Sequence, residues 1–294
     1  MEKFTRILNS IYRFSSSWTG AIIIVLFVIF FIVQGFVIPS RSMVGTLYEG
    51  DLLFVKKYSY GIPIPRLPWV NTPIFPDFKG NGHLIEGERP KRGEIVVFLP
   101  PHMEKTYFVK RLFAVGGDEV IFTKDGLYLH FKEGNDYINE HYADLEQIKS
   151  NGKLFVLEPF MQEYAGINTN EGMSAFEAMK LRLIQSAFNP ELKVAMEPIV
   201  ENNEIIGFYK KIEEDAFFMI GDNRNNSEDS RFWGSVPYKN IVGTPWVTYF
   251  SLNLEGSIEA DIPNNPHELY NIRWERVFKT ADSLNNLARQ KEKN

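Results

Sequence analysis

Tyr107-Phe108-Val109-Lys110-Arg111-Leu112-Phe113-Ala114-Val115-Gly116-Gly117-Asp118-Glu119-Val120-Ile121-Phe122 is the stretch on which the reading of this chain turns. Aromatic and β-branched residues fill Tyr107–Val115, Gly116-Gly117-Asp118 supplies a turn, and Glu119–Phe122 resumes extended character, so the stretch reads as strand, turn, strand. Period-two alternation places Phe108, Lys110 and Leu112 on one face and Val109, Arg111 and Phe113 on the other. One of the two cations must therefore point into an apolar interior. Burial disfavours the charged form of a lysine, so its pKa falls and a neutral amine exists near pH 7. A neutral amine beside a serine hydroxyl is a general base. An edge-strand lysine facing water is the structural alternative, and the strand pattern by itself leaves both open.

Working outward, further strand patterns run over Asp51–Tyr58, Glu94–Leu99, Leu127–Phe131, Leu154–Leu157, Ile205–Tyr209, Ala216–Ile220, Trp246–Phe250 and Asn271–Phe278. Phe176, Met179 and Leu183 recur at helical spacing within Gly172–Phe188 and predict an amphipathic helix. Five prolines between Gly61 and Pro76 predict an extended loop, folded over the domain or, with Trp69, Phe75 and Phe78 close by, resting on the membrane interface. The pattern predicts a mainly antiparallel β protein with an inserted α+β subdomain over about 119–215 and a polar tail over 281–294.

Residues Trp18–Ile38 are apolar almost throughout, and Ile22–Val33 carries no polar side chain. About 21 residues of helix reach roughly 31 Å, enough for a hydrocarbon core of ~30 Å. The expectation is one uncleaved transmembrane helix over 18–38 that ends at Pro39, with 1–17 in the cytoplasm and a catalytic domain over 39–280 outside. Lys3, Arg6 and Arg13 before the span favour that orientation. A net charge of −5 argues against nucleic acid as a partner, and the absence of cysteine rules out disulfides and thiolate metal sites. Hydrophobic content of 44% supports a packed core.

Ser40 and Ser42 follow the apolar segment directly, a placement suited to chemistry on something held in the membrane. The five histidines show no metal-ligand spacing, and no Gly-x-Ser-x-Gly elbow is present. The run Gly221-Asp222-Asn223-Arg224-Asn225-Asn226-Ser227-Glu228-Asp229-Ser230-Arg231 is rich in side chains that bond local backbone. It lies between an apolar strand and Phe232-Trp233-Gly234, which predicts a rigid loop pinned to a core.

In this order, Ile38-Pro39-Ser40-Arg41-Ser42-Met43, Gly50–Gly61, Arg92–Phe98, Val109-Lys110-Arg111 through Val120, and Gly221–Gly234 resemble the sequence boxes of the type I signal peptidases (leader peptidases). The likeness spans about 36–123 and 216–250. It implies the signal-peptidase-like β fold and a Ser/Lys endopeptidase. That enzyme would remove signal peptides from exported preproteins at the outer face of the cytoplasmic membrane, in contact with membrane lipid and without cofactor or metal. By position, Ser42 would be the nucleophile and Lys110 the base. Ser40 would complete the oxyanion hole, and Ser227 would orient the Lys110 amine. Asp222 with Arg111, and Asp229 with Arg231, would be structural ion pairs. Phe36, Ile38, Met43, Leu47, Leu53, Val97, Phe108 and Val109 would line shallow substrate pockets. Gly45 and Gly116 stand where the family usually has proline, and Asn225 where aspartate is common. A specialised Ser/Lys peptidase with a narrow substrate set, or a non-catalytic membrane-anchored peptide-binding β domain, are the rival readings.

Overall fold

A computed structural model describes residues 2–67, 70–103, 105–170, 172–189, 192–253 and 271–291, which leaves Trp69 outside the described residues. Helix α1 covers Glu2–Ser15 and α2 covers Trp18–Phe27. Ser17 caps α2, its Oγ accepting the Gly20 N–H at 3.1 Å. Along α1, Phe4, Ile7, Ile11 and Phe14 recur three and four residues apart, all exposed, so the helix carries one apolar stripe.

The apolar run expected as one helix to Ile38 divides. A π-helical turn over Val28–Ile32 ends the helical part, and Val33–Val37 forms strand β1. The reason is that these residues find a strand partner. They pair antiparallel with β2, Asp51–Lys56, setting Val33 opposite Lys56 and Phe36 opposite Leu53. Lys57 Nζ donates to Gln34 Oε1 at 3.1 Å and Lys57 N to Ile32 O at 3.0 Å, which fastens the junction. The 10 α-helical and 5 π-helical residues reach roughly 22 Å, short of a ~30 Å core. Among the described residues no single helix is long and apolar enough to cross a membrane, and the segments Lys3–Ser15 and Trp18–Ile32 meet at 88°.

The remaining strands are β3 (Gly61–Pro63), β4 (His83–Glu86), β5 (Ile95–Phe98), β6 (Phe108–Val115), β7 (Glu119–Thr123), β8 (Gly126–His130), β9 (Gln147–Ser150), β10 (Lys153–Leu157), β11 (Glu197–Glu201), β12 (Glu204–Lys211), β13 (Ala216–Ile220), β14 (Val236–Pro237), β15 (Ile241–Ser251) and β16 (Lys279–Thr280). The remaining helices are α3 (Asn135–His141), α4 (Ala175–Ser186), α5 (Ser230–Trp233) and α6 (Ala281–Lys291). One sheet runs β1-β2-β15-β5-β6-β13-β14, with β16 on β15; a second runs β11-β12-β7-β8-β10-β9; β3 and β4 form a small ribbon. Every strand pair is antiparallel.

The second sheet is built wholly from the 119–211 segment, yet it is not packed apart. Phe113, Ala114, Phe218 and Ile220 of the first sheet share one buried cluster with Val120, Phe122, Leu127, Phe176 and Phe208 of the insertion. A second cluster joins Ile38, Met43, Leu47, Leu53, Val97 and Leu284, under the turn that carries Ser42.

One expectation near the C-terminus changes. Residues 271–278 are not a strand: Trp274–Arg276 is a 3-10 turn, with only a bridge between Leu252 and Ile272 before it. Arg273 and Arg276 both turn inward, to Glu49 O at 2.9 Å and to Asp51 at 2.6 Å. A spacing of three sends side chains to opposite faces of a strand but to one side of a helical turn. The polar segment from Ala281 is helix α6, and it docks on the domain, burying Leu284 and Asn285.

Candidate active site

Ser42 sits on a 3-10 turn, Arg41–Met43, in the loop between β1 and β2. Ile38 N donates to Asp51 O and Gly50 N to Ile38 O, both at 2.9 Å, which closes that loop at its neck. Met43 and Leu47 drop into the core at 1% exposure and fix the turn from below. Lys110 lies on β6 opposite Val96 of β5, and is 4% exposed. Lys110 Nζ and Ser42 Oγ are hydrogen-bonded at 2.6 Å, and Lys110 Nζ also donates to Val109 O at 3.2 Å. Burial pulls the Lys110 pKa down to about 8, against the opposing pull of the Asp229 and Asp222 carboxylates. A neutral amine in that contact can take the hydroxyl proton directly. Ser40 Oγ lies 3.3 Å from Ser42 Oγ, on the exposed side of the turn.

The loop after β13 approaches the serine from the other side. Asn223 N donates to Ser42 O at 3.1 Å, and Asn223 Nδ2 to Arg41 O at 3.2 Å. Gly221 makes this approach possible: a Cβ there would stand 2.5 Å from Ser42 O and 2.3 Å from Ser227 Oγ. Ser227 is buried at this contact, with its hydroxyl turned toward the Asp229 carboxylate and without a well-formed hydrogen bond to Lys110.

Two fully buried ion pairs hold the loop. Arg111 Nε and Nη2 each donate to Asp222 at 2.7 Å, and Arg231 Nε and Nη2 donate to Asp229 at 2.8 and 2.7 Å. Burial alone would raise the pKa of both carboxyls. The adjacent guanidinium outweighs it in each and holds them below the usual carboxylate range. Lys110 and Arg111 therefore divide as alternation requires: the lysine goes to the serine and the arginine to the loop.

The expected pocket residues fall into two groups. Ile38, Met43, Leu47, Leu53 and Val97 are buried in one cluster, with Phe36 and Val109 packed against it. Phe108 is on the Lys110 face of β6, in a different cluster with Phe98 and Trp233, and its ring centroid is 5.3 Å from Lys110 Nζ. Met43, Leu47, Leu53 and Val97 are at or below 1% exposure, so they form a floor. Phe36, Phe108 and Val109 are the ones that offer surface to a ligand.

Sequence reasoning missed several parts of the frame. Asn168 Nδ2 donates to Val44 O at 2.8 Å, and Asn168 exchanges backbone hydrogen bonds of 2.8 Å with Asp222 O and Arg224 N. Through this residue the insertion braces both the serine turn and the 221–231 loop. Thr46 Oγ1 donates to Asp222 Oδ2 at 2.6 Å. Arg276 pairs with the buried Asp51 at 2.6 Å and donates to Thr46 O at 2.9 Å. None of these carries a local pattern; only buried Asp51 between Gly50 and an apolar strand was a hint.

A buried serine hydroxyl held against a buried lysine amine, on an antiparallel β frame, defines a class: the serine endopeptidases. Residues 11–250 match the family profile described as signal peptidase, peptidase S26. Signal peptidase I of Helicobacter pylori (strain J99 / ATCC 700824) is 58% identical over 98% of this chain and 99% of its own length. Signal peptidase I of Buchnera aphidicola subsp. Baizongia pistaciae is 30% identical over 78% of this chain and 73% of its own. A crystal structure of a signal peptidase I from Enterococcus faecalis V583 covers 53% of this chain and 97% of its own at 20% identity, with a TM-score of 0.27. The chain belongs to the signal peptidase family, peptidase S26, serine endopeptidases that cleave signal peptides.

Proposed function

We propose that the chain removes signal peptides from exported preproteins with Ser42 as nucleophile and Lys110 as general base. The observation that carries this is the 2.6 Å contact between a buried hydroxyl and a buried amine whose pKa is lowered to about 8. Lys110 takes the Ser42 proton as Oγ attacks the scissile carbonyl carbon. The resulting oxyanion is met by the Ser42 N–H and the Ser40 hydroxyl. Protonated Lys110 gives its proton to the departing amine, leaving an acyl ester on Ser42. Water, deprotonated by Lys110, then attacks the ester and frees the serine. Ser227 orients the Lys110 amine through a change of its side-chain rotamer. The substrate adds as an extended strand by main-chain hydrogen bonds. β1 lies at the edge of its sheet and leads straight into the serine turn. Side chains of the substrate rest against Phe36, Phe108 and Val109.

The same reading anchors the chain in the cytoplasmic membrane by the apolar segment that α2 opens, Trp18 to Val37, of which the helical part alone is shorter than the hydrocarbon core. Ile22 to Phe27 are apolar around the whole helix and 41–56% exposed, so no protein surface covers them. The apolar stripe of α1, at a right angle to α2 and flanked by Lys3, Arg6 and Arg13, suits the lipid surface on the cytoplasmic side. The catalytic domain then lies on the outer side.

Cleavage of one preprotein by purified wild type and by Ser42→Ala tests the reading. The variant should fold and insert normally and show no turnover. Ser40→Ala should keep partial activity, since one lost oxyanion donor costs about 10²–10³ in kcat. Turnover by Ser42→Ala above background would end the assignment.

A further inference from the structure

Helix α6 lies beyond the residues that match the family profile, yet it reaches the groups behind the serine. Leu284 is 1% exposed in the cluster that holds Met43 and Leu47, with Ala281 and Leu287 packed against the same cluster. This docking drives the next residue, Asn285, into the interior at 8% exposure. Its Oδ1 lies 3.1 Å from Thr46 Oγ1 and 3.4 Å from Arg111 Nη2. Thr46 has a single hydroxyl proton, which it shares between Asp222 Oδ2 at 2.6 Å, the stronger branch, and Asn285 Oδ1. Asn285 Oδ1 accepts the weaker branch of that hydroxyl proton at 3.1 Å and the Arg111 Nη2 proton at 3.4 Å.

These two neighbours are next to the reacting pair along the chain. Arg111 follows Lys110 on β6, and Thr46 is four residues after Ser42 in the turn that Gly45 leaves without the family's usual proline. Asp222, held by both, precedes Asn223, whose N–H binds the Ser42 carbonyl. The backbone of Thr46 is gripped from the same part of the chain by Arg276 at 2.9 Å. We propose that Asn285, presented by the C-terminal helix, is a positioning residue for the Ser42–Lys110 pair. It fixes Arg111 and Thr46, and so holds the nucleophile turn against the base strand. This rests on the assignment of Ser42 and Lys110 given above.

The test is steady-state cleavage of one preprotein by the full-length protein in lipid, for Asn285→Ala, Thr46→Val and the double variant, with thermal unfolding recorded for each. Asn285→Ala should lower kcat about tenfold and leave KM within twofold, because the substrate does not touch Asn285. Thr46→Val should lower kcat at least as much. The double variant should fall little below the worse single one, since residues acting through one network are not additive. Asn285→Ser keeps a polar side chain too short to reach Arg111; it should behave like Asn285→Ala and serves if the alanine variant does not fold. If Asn285 variants keep kcat within twofold of wild type per folded molecule, whatever their melting temperature, α6 is only a structural support and the proposal is wrong. The same holds if the losses in kcat simply multiply. Failure here with Ser42→Ala inactive leaves the catalytic pair standing; activity in Ser42→Ala removes the pair and this inference together.

Discussion

At the scale of single residues, the decisive fact is where Lys110 sits. Desolvation and the nearby carboxylates act against each other on its amine, and desolvation wins, giving a pKa of about 8 in place of 10.5. The sign follows from the chemistry. The base must be neutral, so kcat should be low below the folded pKa and rise as pH increases through about 8, levelling above it. A pH–rate profile that falls through this range would contradict Lys110 as the base. Lys110→Arg should be inactive at every accessible pH, because a guanidinium stays protonated. Turnover by that variant would show that another group accepts the proton. The sequence placed one cation of Lys110 and Arg111 inside. The fold goes further and buries both, because Asp222 arrives from a segment more than a hundred residues away to meet Arg111.

At the scale of elements, the turn after Ser42 is a joint between the two halves of the chain. Gly45 takes φ of 107°, a conformation closed to proline, whose ring fixes φ near −65°. A Cβ on Gly45 would also stand 2.0 Å from the Gly166 carbonyl of the insertion. Gly45→Pro restores the family's common residue, yet here it should destabilise the fold on the order of 3 kcal/mol or more and abolish cleavage. Thermal unfolding and a preprotein assay check this; wild-type behaviour of the proline variant would mean that the turn takes another path. The turn is therefore stiffened from outside itself, by Asn168, Arg276 and α6, and not by its own sequence. Strands were legible because side-chain period two shows in a local window. The 271–278 segment was misread because its arginines are placed by distant carboxylates and carbonyls, which no window contains.

For the whole molecule, the apolar N-terminal segment and the β domain meet in a strand. Because Val33–Val37 completes the first sheet, a shortened chain should begin at Val33 and not later. Such a form should keep its fold and cleave peptides. It should also bind liposomes and be stimulated by lipid or detergent, since Val37 beside the anchor and Leu67, Phe75 and Phe78 in the proline-rich loop remain exposed. Liposome flotation and rate measurements with and without lipid decide the matter. A soluble form indifferent to lipid in both would remove the membrane-resting site while leaving the Ser42–Lys110 chemistry intact. A form begun after Val37 should lose the edge strand and melt at lower temperature.

The sequence by itself determined the things that local chemistry can state. An apolar run ending at two serines, period-two strands, one lysine among apolar neighbours and a loop of backbone-bonding side chains were enough for the fold class and to draw attention to Lys110 and to Ser40 and Ser42; it was the resemblance to the signal peptidases that proposed Ser42 as nucleophile and Lys110 as base. Only the tertiary structure decided where the helix stops, which pocket residues show surface, and that Asn168, Arg276 and Asn285 brace the serine turn. The physical reason is the same for all three. Each depends on a partner far away in the chain, and a polar or apolar group reveals its role only when burial fixes what it must satisfy.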